Sequence, residues 1–280
     1  MGETLERGLM SDDSPGPGPQ PAPLADTTVP HSARIWNYWL GGTDNYPVDR
    51  EAGDQYREVY PQIVDLALAS RAFQARAVRF LAGQAGLRQF LDVGAGLPAA
   101  GNTHEIAQGI APHSRVVYVD HDPFVVSHGR SQLSGTLEGF ADYIEADLHQ
   151  PAEILSAAAR VLDFTQPIAL VLMGVMGHID DESAYPIVRQ LLEGLPPASY
   201  LALQDGARTS GAFTEAQQGY DDTGAIPYRL RRPEQIAAFF DGLEVVEPGV
   251  VPTPHWRPEP DQSSPPPDVE AYGGVGRKAR

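Results

Sequence analysis

Residues 90–96, with the sequence FLDVGAG, combine an apolar run, one carboxylate and two glycines. The apolar run predicts a buried strand over residues 90–93. Gly94, Ala95 and Gly96 then predict a turn in which a ligand can approach the backbone closely, because large side chains are absent there. A strand that ends in such a turn is typical of sites for nucleotide-type cofactors, although the GxG pattern alone is weak evidence.

Two further carboxylates follow the next two predicted strands. Asp120 ends the run VVYVD, and Asp147 ends the run YIEAD. From these positions Asp120 can accept hydrogen bonds from both hydroxyls of a ribose, and Asp147 or its neighbouring backbone can meet the edge of an adenine. Open α/β sheets bind ligands outside the carboxyl ends of their strands. We therefore expect the glycine loop, Asp120 and Asp147 to lie at one site. A structural glycine turn with two solvated aspartates stays open as an alternative.

The composition excludes several classes of chemistry. Lys and Arg total 20 against 37 Asp and Glu, and the formal net charge of −17 disfavours binding to nucleic acids and to acidic membranes. The chain has no cysteine, which excludes disulfides, thiolate zinc sites and a cysteine nucleophile. The sequence begins without a secretory signal pattern, and its most apolar run, 168–176, is too short to span a bilayer. We therefore expect a cytoplasmic protein without a membrane anchor.

The chain divides into three parts by composition. Residues 1–30 are rich in Pro, Gly, Ser and Asp, which predicts a flexible tail. Residues 31–89 predict an N-terminal helical cap that includes an amphipathic helix over 62–85, or a pair of helices broken near Ser70. Residues 90–280 predict the domain that carries the cofactor loops. With 42% hydrophobic residues, the chain can bury a substantial core.

Short apolar runs alternate with helical patterns after residue 90, which predicts an α/β fold with a parallel sheet flanked by helices. The predicted strands cover residues 90–93, 116–119, 143–144, 168–173, 200–203 and 243–246, with a short last strand over 271–276. The predicted helices cover residues 123–133, 152–162, 181–195 and 233–240. Another helix is expected to begin at Asn102, where Glu105 completes a capping box. The proline-rich residues 252–267 predict a loop.

A dinucleotide cofactor is the main competing interpretation, because a glycine loop and a ribose carboxylate serve nicotinamide and flavin dinucleotides equally well. Two features argue against it. The glycine loop is followed by residues 97–101 before the Asn102 cap, so a pyrophosphate would lose part of the stabilisation that a helix N-terminus provides. The chain also ends with strand, loop and short strand, which predicts an antiparallel hairpin rather than a second nucleotide-binding half.

Five segments of the chain resemble the actinobacterial S-adenosyl methyltransferase family that was formerly catalogued as a domain of unknown function. The resemblance covers nearly everything from residue 31 to residue 278. It is specific at HSARIWNYWLGGTDNYPVDR (31–50), FLDVGAGLPAAGNTHEIAQ (90–108), VVYVDHDP (116–123), LRRPEQIAAFFDGLEVVEPG (230–249) and AYGGVGRK (271–278). It implies a Rossmann-like class I methyltransferase fold, with a mostly parallel seven-stranded sheet and an antiparallel last strand.

The resemblance also implies a site for S-adenosyl-L-methionine. It places Asp92 and the two glycines of the loop along the methionine part of the cofactor, and Asp120 at the ribose. It places Asp147 and Leu148 at the adenine. The predicted cofactor-binding residues are Tyr38, Asn45, Asp92, Gly94, Ala95, Gly96, Asp120, His121, Asp147, Leu148 and Met173.

The aromatic, glycine-rich segment from Trp36 to Tyr46 is expected to form a lid over the cofactor. Tyr38 or Tyr46 can present a ring face to the sulfonium. Asn45 can contact the amino-acid end of the cofactor. A second interpretation, compatible with the lid, is that Trp36, Trp39 and Leu40 anchor an N-terminal helix in the core.

Two residues are candidates for catalysis. His178 follows the fourth strand, whose end faces the transferred methyl group in this fold, and it can accept a proton near neutral pH. Asp205 follows the fifth strand and is a candidate for substrate binding or proton acceptance; its alternative is an exposed turn residue. Methyl transfer can also proceed by alignment alone. The histidines show no metal-binding spacing, and we expect no catalytic metal.

The sequence thus predicts an S-adenosylmethionine-dependent methyltransferase that acts on a small molecule or natural-product intermediate. The acidic composition favours a neutral or cationic acceptor. Two alternatives stay open: a module that binds S-adenosylmethionine or S-adenosyl-L-homocysteine without turnover, and an NAD(P)-dependent oxidoreductase. We expect neither a nucleic acid nor a membrane as a partner.

Overall fold

The computed structural model describes residues 25–133, 135–259 and 267–279. Residues 1–24, which make up most of the predicted tail, lie outside the described residues, and so do residues 260–266 of the predicted proline-rich loop. The described end of the tail, residues 25–30, contains only bends and irregular backbone. The proposed division of the chain at residue 90 stays a prediction.

An eight-stranded sheet lies at the centre of the fold, in the order β3-β2-β1-β4-β5-β8-β6, with β7 paired to β8. The strands are β1 (Gln89–Val93), β2 (Arg115–Asp120), β3 (Phe140–Glu145), β4 (Ala169–Met173), β5 (Tyr200–Gly206), β6 (Glu244–Val245), β7 (Val251–Pro252) and β8 (Ala271–Arg277). Strands β1 to β5 are mutually parallel, whereas β8 runs antiparallel to β5, β6 and β7. This confirms the predicted mostly parallel sheet with an antiparallel last strand. The sheet has eight strands rather than seven, because the two residues of β7 also pair with β8.

Nine α-helices surround the sheet in the described part of the chain. They are α1 (Ser32–Trp39), α2 (Pro47–Val59), α3 (Ile63–Arg79), α4 (Thr103–Ile110), α5 (Pro123–Gln132), α6 (Pro151–Ala158), α7 (Asp181–Gly194), α8 (Gly211–Asp221) and α9 (Pro233–Ala237). The predicted capping box is present at α4, where Asn102 is the N-cap and Glu105 accepts its backbone N–H at 3.0 Å. None of the described helices combines the length and the apolarity needed to cross a bilayer.

The alternation of side chains along the strands builds a core on each face of the sheet. Leu91 and Val93 of β1 pack into one buried cluster, while Phe90, which precedes Leu91 and lies on the opposite face of the strand, packs into the other. Both faces are covered, which is why the parallel strands read as continuous apolar runs. A third buried cluster joins α1, α2 and the start of α3 to α8. This third cluster positions the helices that stand over the carboxyl ends of the parallel strands.

Of the two alternatives for residues 62–85, the structure confirms the single helix. α3 is continuous through Ser70, because Leu66, Ala67 and Phe73 keep one buried face through that point, and a π-helical turn, Phe80–Gln84, extends it. α8 was not predicted, since glycines at both ends weaken its helical pattern. Its N-cap Ser210, whose hydroxyl accepts the N–H of Phe213, was the available signal.

Candidate functional site

A cavity of about 390 Å³ opens at the carboxyl ends of the parallel strands, beneath the helices before β1 and beside α8. This volume lies within the range of sites that enclose a small-molecule ligand or cofactor. Nine of the eleven predicted cofactor-binding residues line it: Asp92, Gly94, Ala95, Gly96, Asp120, His121, Asp147, Leu148 and Met173. The folded chain thus brings the loops after β1, β2, β3 and β4 to one cavity.

The loop after β1 depends on its two glycines for different reasons. Both have left-handed backbone, with φ of 74° at Gly94 and 63° at Gly96. A Cβ atom on Gly94 would lie 2.3 Å from Cγ2 of Val175, so this position must lack a side chain for the protein to pack. A Cβ atom on Gly96 would have no neighbour within 4 Å. Gly96 therefore leaves open space on the cavity wall, where a ligand can lie against the backbone.

Asp120 fixes this loop from the next strand. Its Oδ2 accepts the backbone N–H of Gly96 at 3.0 Å, and its Oδ1 accepts the N–H of Asp122 at 3.1 Å. The side chain is nearly buried and lines the cavity. A carboxylate has about four lone-pair positions. Asp120 can therefore hold the glycine loop and still accept hydrogen bonds from hydroxyl groups of a ligand.

Asp92 is the buried carboxylate of the site. The hydroxyl of Thr103 donates to its Oδ2 at 2.6 Å, and the side-chain amide of Gln74 lies at 3.5 Å from the same oxygen. Burial raises the pKa of Asp92 to about 6, and the Thr103 hydrogen bond only partly opposes this. Asp92 is thus a carboxylate whose charge is costly until a cation approaches it.

Arg71 is a cavity residue that sequence reasoning did not single out, because it reads as part of the polar face of α3. Its guanidinium donates to Oε1 of Gln74 at 2.8 Å, to the carbonyl of Ala99 at 3.0 Å and to Oδ1 of Asn102 at 3.0 Å. These contacts hold a positive charge beside the glycine loop. They also tie α3 to the segment that precedes α4, so one helix of the N-terminal part contributes directly to the cavity.

Asp147 lies at the rim of the cavity. Its carboxylate accepts the backbone N–H of His149 at 2.9 Å, and this hydrogen bond lowers the pKa of Asp147. The side chain is about half exposed, whereas the neighbouring Leu148 is buried. An acceptor beside an apolar side chain is an arrangement that suits the edge and the face of an adenine.

Tyr38 and Asn45 are the two predicted cofactor residues that do not line the cavity. The hydroxyl of Tyr38 donates to Asp54 at 2.8 Å, and the amide of Asn45 donates to Oδ1 of Asn37 at 3.0 Å. Tyr46 is outside the cavity as well, and its ring stacks below the guanidinium of Arg34, 5.2 Å from its centroid. Tyr38 and Tyr46 are thus held by Asp54 and Arg34, neither of which lines the cavity.

The aromatic segment still contributes to the cavity through other residues, namely Trp36, Asn37, Trp39 and Leu40. Trp39 is also an anchor, since it is buried and its indole N–H donates to the carbonyl of Gly53 at 3.2 Å. α1 is thus anchored in the core and also lines the cavity, and its role as a lid over a cofactor stays a prediction. Helical periodicity explains why Trp36 and Trp39 line the cavity and Tyr38 does not. Residues 36 and 39 are three apart and share one face of α1, whereas Tyr38 lies on another face.

His178 lines the cavity, where the predicted base would be needed. Its Nδ1 lies 2.9 Å from the carbonyl of Pro227, which can only accept, so Nδ1 carries the proton and Nε2 has a free lone pair. Burial lowers the pKa of His178 below its ordinary value of 6.5. The imidazole is therefore neutral at pH 7 and able to accept a proton.

Asp205 does not line the cavity and is not an exposed turn residue. It is fully buried, accepts the hydroxyl of Tyr228, and forms an ion pair of 3.4 Å with the buried Arg231. Arg231 also donates to the carbonyls of Met176 and Ile179. Its position makes Asp205 a support for the backbone around His178, and the role in substrate binding or proton acceptance has no geometric basis.

Within the described ranges, no cluster of three or more histidine or carboxylate side chains has the arrangement of a metal site. The cavity is thus characterised by a glycine loop, three carboxylates at successive strand ends and one arginine. In the sheet, the five parallel strands are followed by the antiparallel strand β8, which pairs with β5. Together, the cavity and this sheet define a Rossmann-like protein of the class I methyltransferase type.

The comparisons with known proteins identify the family. A family model described as S-adenosyl methyltransferase matches residues 19–279, and the chain belongs to this family. It is similar to the crystal structure of a DUF574-family protein from Streptomyces avermitilis, with 43% identity over 90% of this chain and 99% of that chain and a TM-score of 0.85. It is also similar to a putative methyltransferase from Thermobifida fusca, with 37% identity over 91% and 97% of the two chains and a TM-score of 0.82. No curated protein matches the chain.

Proposed function

We propose that this protein binds S-adenosylmethionine in the cavity and transfers its methyl group to a small-molecule acceptor. The observation that carries the proposal is the convergence of Gly96, Asp120 and Asp147 on one cavity in a chain of the S-adenosyl methyltransferase family. A bound S-adenosylmethionine supplies a methyl carbon attached to a positively charged sulfur, and that carbon is the electrophile.

The residues of the cavity fit such a cofactor. The open space at Gly96 is a cradle that any side chain would fill. Arg71 offers a fixed cation for a carboxylate, and Asp92 offers a buried carboxylate for an ammonium or sulfonium. Asp120 would hold the ribose hydroxyls, while Asp147 with Leu148 would hold the adenine.

His178 is the residue best suited to take a proton from the acceptor. Its neutral state and its free Nε2 suit an O–H or N–H group whose proton leaves as the new bond forms. The rest of the catalysis is positioning, because a cavity that holds both reactants in line removes much of the entropic barrier. Helices α1, α2 and α8 stand over the cavity and restrict the access of water to it.

A small-molecule acceptor is favoured by the charge and shape of the protein. The net charge of −17 repels nucleic acids and acidic membrane surfaces. The space beside the cofactor loops is lined by residues of α1, α2 and α8, and its volume of about 390 Å³ suits a compact acceptor rather than a macromolecule. We therefore propose neither a nucleic acid nor a membrane surface as a partner of the protein.

Calorimetric titration with S-adenosylhomocysteine and, separately, with NAD tests the cofactor. We expect saturable binding of S-adenosylhomocysteine and none of NAD. Binding of NAD alone would overturn the proposal and favour an oxidoreductase. Binding of S-adenosylhomocysteine without methyl transfer from S-adenosylmethionine to a broad panel of hydroxyl and amine compounds would instead favour a regulatory module.

A further inference from the structure

We propose that the methyl acceptor is an uncharged molecule that carries a flat aromatic ring system, bound between α1, α2 and α8. This inference rests on the proposed function, because it assigns the part of the cavity that the cofactor loops do not form. The side chains that line this part of the cavity, called the wall below, indicate the chemical class of the acceptor.

The wall is built from aromatic rings. Tyr56 of α2 lies at its centre, with its ring 5.1 Å from that of Trp39, 6.4 Å from that of Phe213 and 6.1 Å from that of Tyr220, in each case edge to face. All four residues line the cavity. Because the rings hold one another edge to face, the wall is preorganised for a flat ring, which gains aromatic contacts there in addition to the burial of its apolar area.

The wall is also without formal charge. Among the described residues that line the cavity, those contributed by α1, α2 and α8 include no Asp, Glu, Lys or Arg. The charged lining residues are Arg71, Asp92, Asp120 and Asp147, and all of them belong to the group around the glycine loop and the strand ends. An acceptor with a formal charge would lose its hydration here without gaining a partner, which is costly. The wall therefore selects against charged molecules.

Neutral polar groups are available to orient a hydroxyl or carbonyl of the acceptor. Gln217 of α8 accepts the hydroxyl of Tyr56 at 3.3 Å and donates to Asp221 at 2.9 Å, so its amide is fixed in place. An amide has two donor hydrogens and two lone pairs, and one of each is left over. With the neutral His178 on the same cavity, the polar groups match an uncharged ring compound that bears an O–H or N–H group.

The test uses ring compounds of one size and three charges. 2-Naphthol, 2-naphthoate and 2-naphthylmethylammonium are titrated into the full chain saturated with S-adenosylhomocysteine, with decahydro-2-naphthol as the saturated, non-flat analogue. We expect 2-naphthol to bind at least tenfold more tightly than each of the other three. Equal or tighter binding of either charged compound overturns the neutral assignment, and equal binding of decahydro-2-naphthol overturns the aromatic assignment.

Variants locate the binding site and separate this inference from the proposed function. Phe213→Leu keeps an apolar side chain but removes a ring from the wall, and it is expected to weaken 2-naphthol at least fivefold. Ile226 is a half-buried lining residue on the loop after α8, so Ile226→Asp adds a charge there, with Ile226→Asn as the uncharged control. We expect the Asp variant to weaken 2-naphthol at least tenfold relative to the Asn variant.

All three variants are expected to bind S-adenosylhomocysteine within twofold of the unmodified protein, which shows that they are folded. If S-adenosylhomocysteine binds and the four ring compounds do not, the acceptor class is wrong and the proposed function stands. If S-adenosylhomocysteine itself does not bind to the unmodified protein, the proposed function fails first.

Discussion

The carboxylate of Asp120 accepts the backbone N–H of Gly96 at 3.0 Å, across the carboxyl ends of two adjacent parallel strands. This hydrogen bond fixes the glycine loop in its left-handed conformation by means of the same side chain that is suited to a ribose. A loop that is already held in place has less conformational entropy to lose when a ligand binds. The structure of the cofactor loop and its affinity for a ligand are therefore coupled through one carboxylate.

Replacement of Asp120 by Ala is expected to weaken S-adenosylhomocysteine by about 1–3 kcal/mol, or about 5- to 150-fold, because charge-assisted hydrogen bonds to the ribose and the restraint on Gly96 are lost together. Isothermal titration calorimetry measures the change. Glu58→Ala, an exposed carboxylate on α2, is the matched control and should leave the affinity unchanged. An unchanged affinity in the Asp120 variant would remove this residue from the binding site.

The two glycines of the loop are expected to respond differently to alanine. Gly96→Ala should cost only about 1 kcal/mol of folding free energy for its left-handed backbone, but abolish measurable S-adenosylhomocysteine binding, because the new methyl group occupies the open wall. Gly94→Ala should be less stable by a further 1–3 kcal/mol, roughly, through its overlap with Val175. Thermal unfolding and calorimetry on both variants check the pair. A Gly96 variant that binds normally would contradict the assigned position of the ligand.

The sequence was informative where a local pattern had one structural meaning. The apolar runs placed β1 to β5, and the loops after β1, β2 and β3 placed Gly96, Asp120 and Asp147 at the cavity. The capping pair Asn102 and Glu105 located the start of α4 to the residue. Each of these predictions depends on neighbours along the chain or on the geometry that all parallel sheets share.

The residues that escaped the sequence are those whose position depends on distant contacts. Arg71 reads as an exposed helical cation, and it reaches the cavity only because α3 packs beside the segment before α4. Tyr38 was expected at the cofactor, but it lies on a different face of α1 from the cavity-lining Trp36 and Trp39, and its hydroxyl donates to Asp54. Asp205 was weighed as a catalytic or exposed residue; long-range packing buries it, pairs it with Arg231 and leaves it outside the cavity lining.

The buried Asp92 makes the stability of the protein depend on pH. Its pKa of about 6 in the folded state lies above the ordinary 3.8, so its contribution to stability is fully present below pH 3.8 and is lost as the pH rises through 6. In Asp92→Asn this group no longer titrates. The free energy of unfolding of the variant, relative to the unmodified protein, should therefore rise by up to about 3 kcal/mol between these pH values. Urea unfolding across this range measures it, and a pH-independent difference would exclude the raised pKa.

The pair of Asp205 and Arg231 is expected to act on stability and not on ligand binding. Asp205→Ala removes one of the two carboxylates that pair with the buried guanidinium of Arg231, while Asp181 remains at 3.0 Å, so it should cost about 1–3 kcal/mol in urea unfolding. The folded fraction should bind S-adenosylhomocysteine with normal affinity, since Asp205 does not line the cavity. Weakened binding with unchanged stability would be the opposite result and would return Asp205 to the site.

The proton-accepting state of His178 can be measured without knowledge of the acceptor. The carbonyl of Pro227 fixes the proton on Nδ1, and burial lowers the pKa, so the imidazole should titrate below pH 6.5 with Nε2 unprotonated at neutral pH. Long-range nitrogen–proton correlation NMR of the imidazole ring gives both the tautomer and the pKa, and His178→Gln assigns the signal. A proton on Nε2 at pH 7, or a pKa above the ordinary 6.5, would leave His178 unable to take the proton that a hydroxyl or amine acceptor must release.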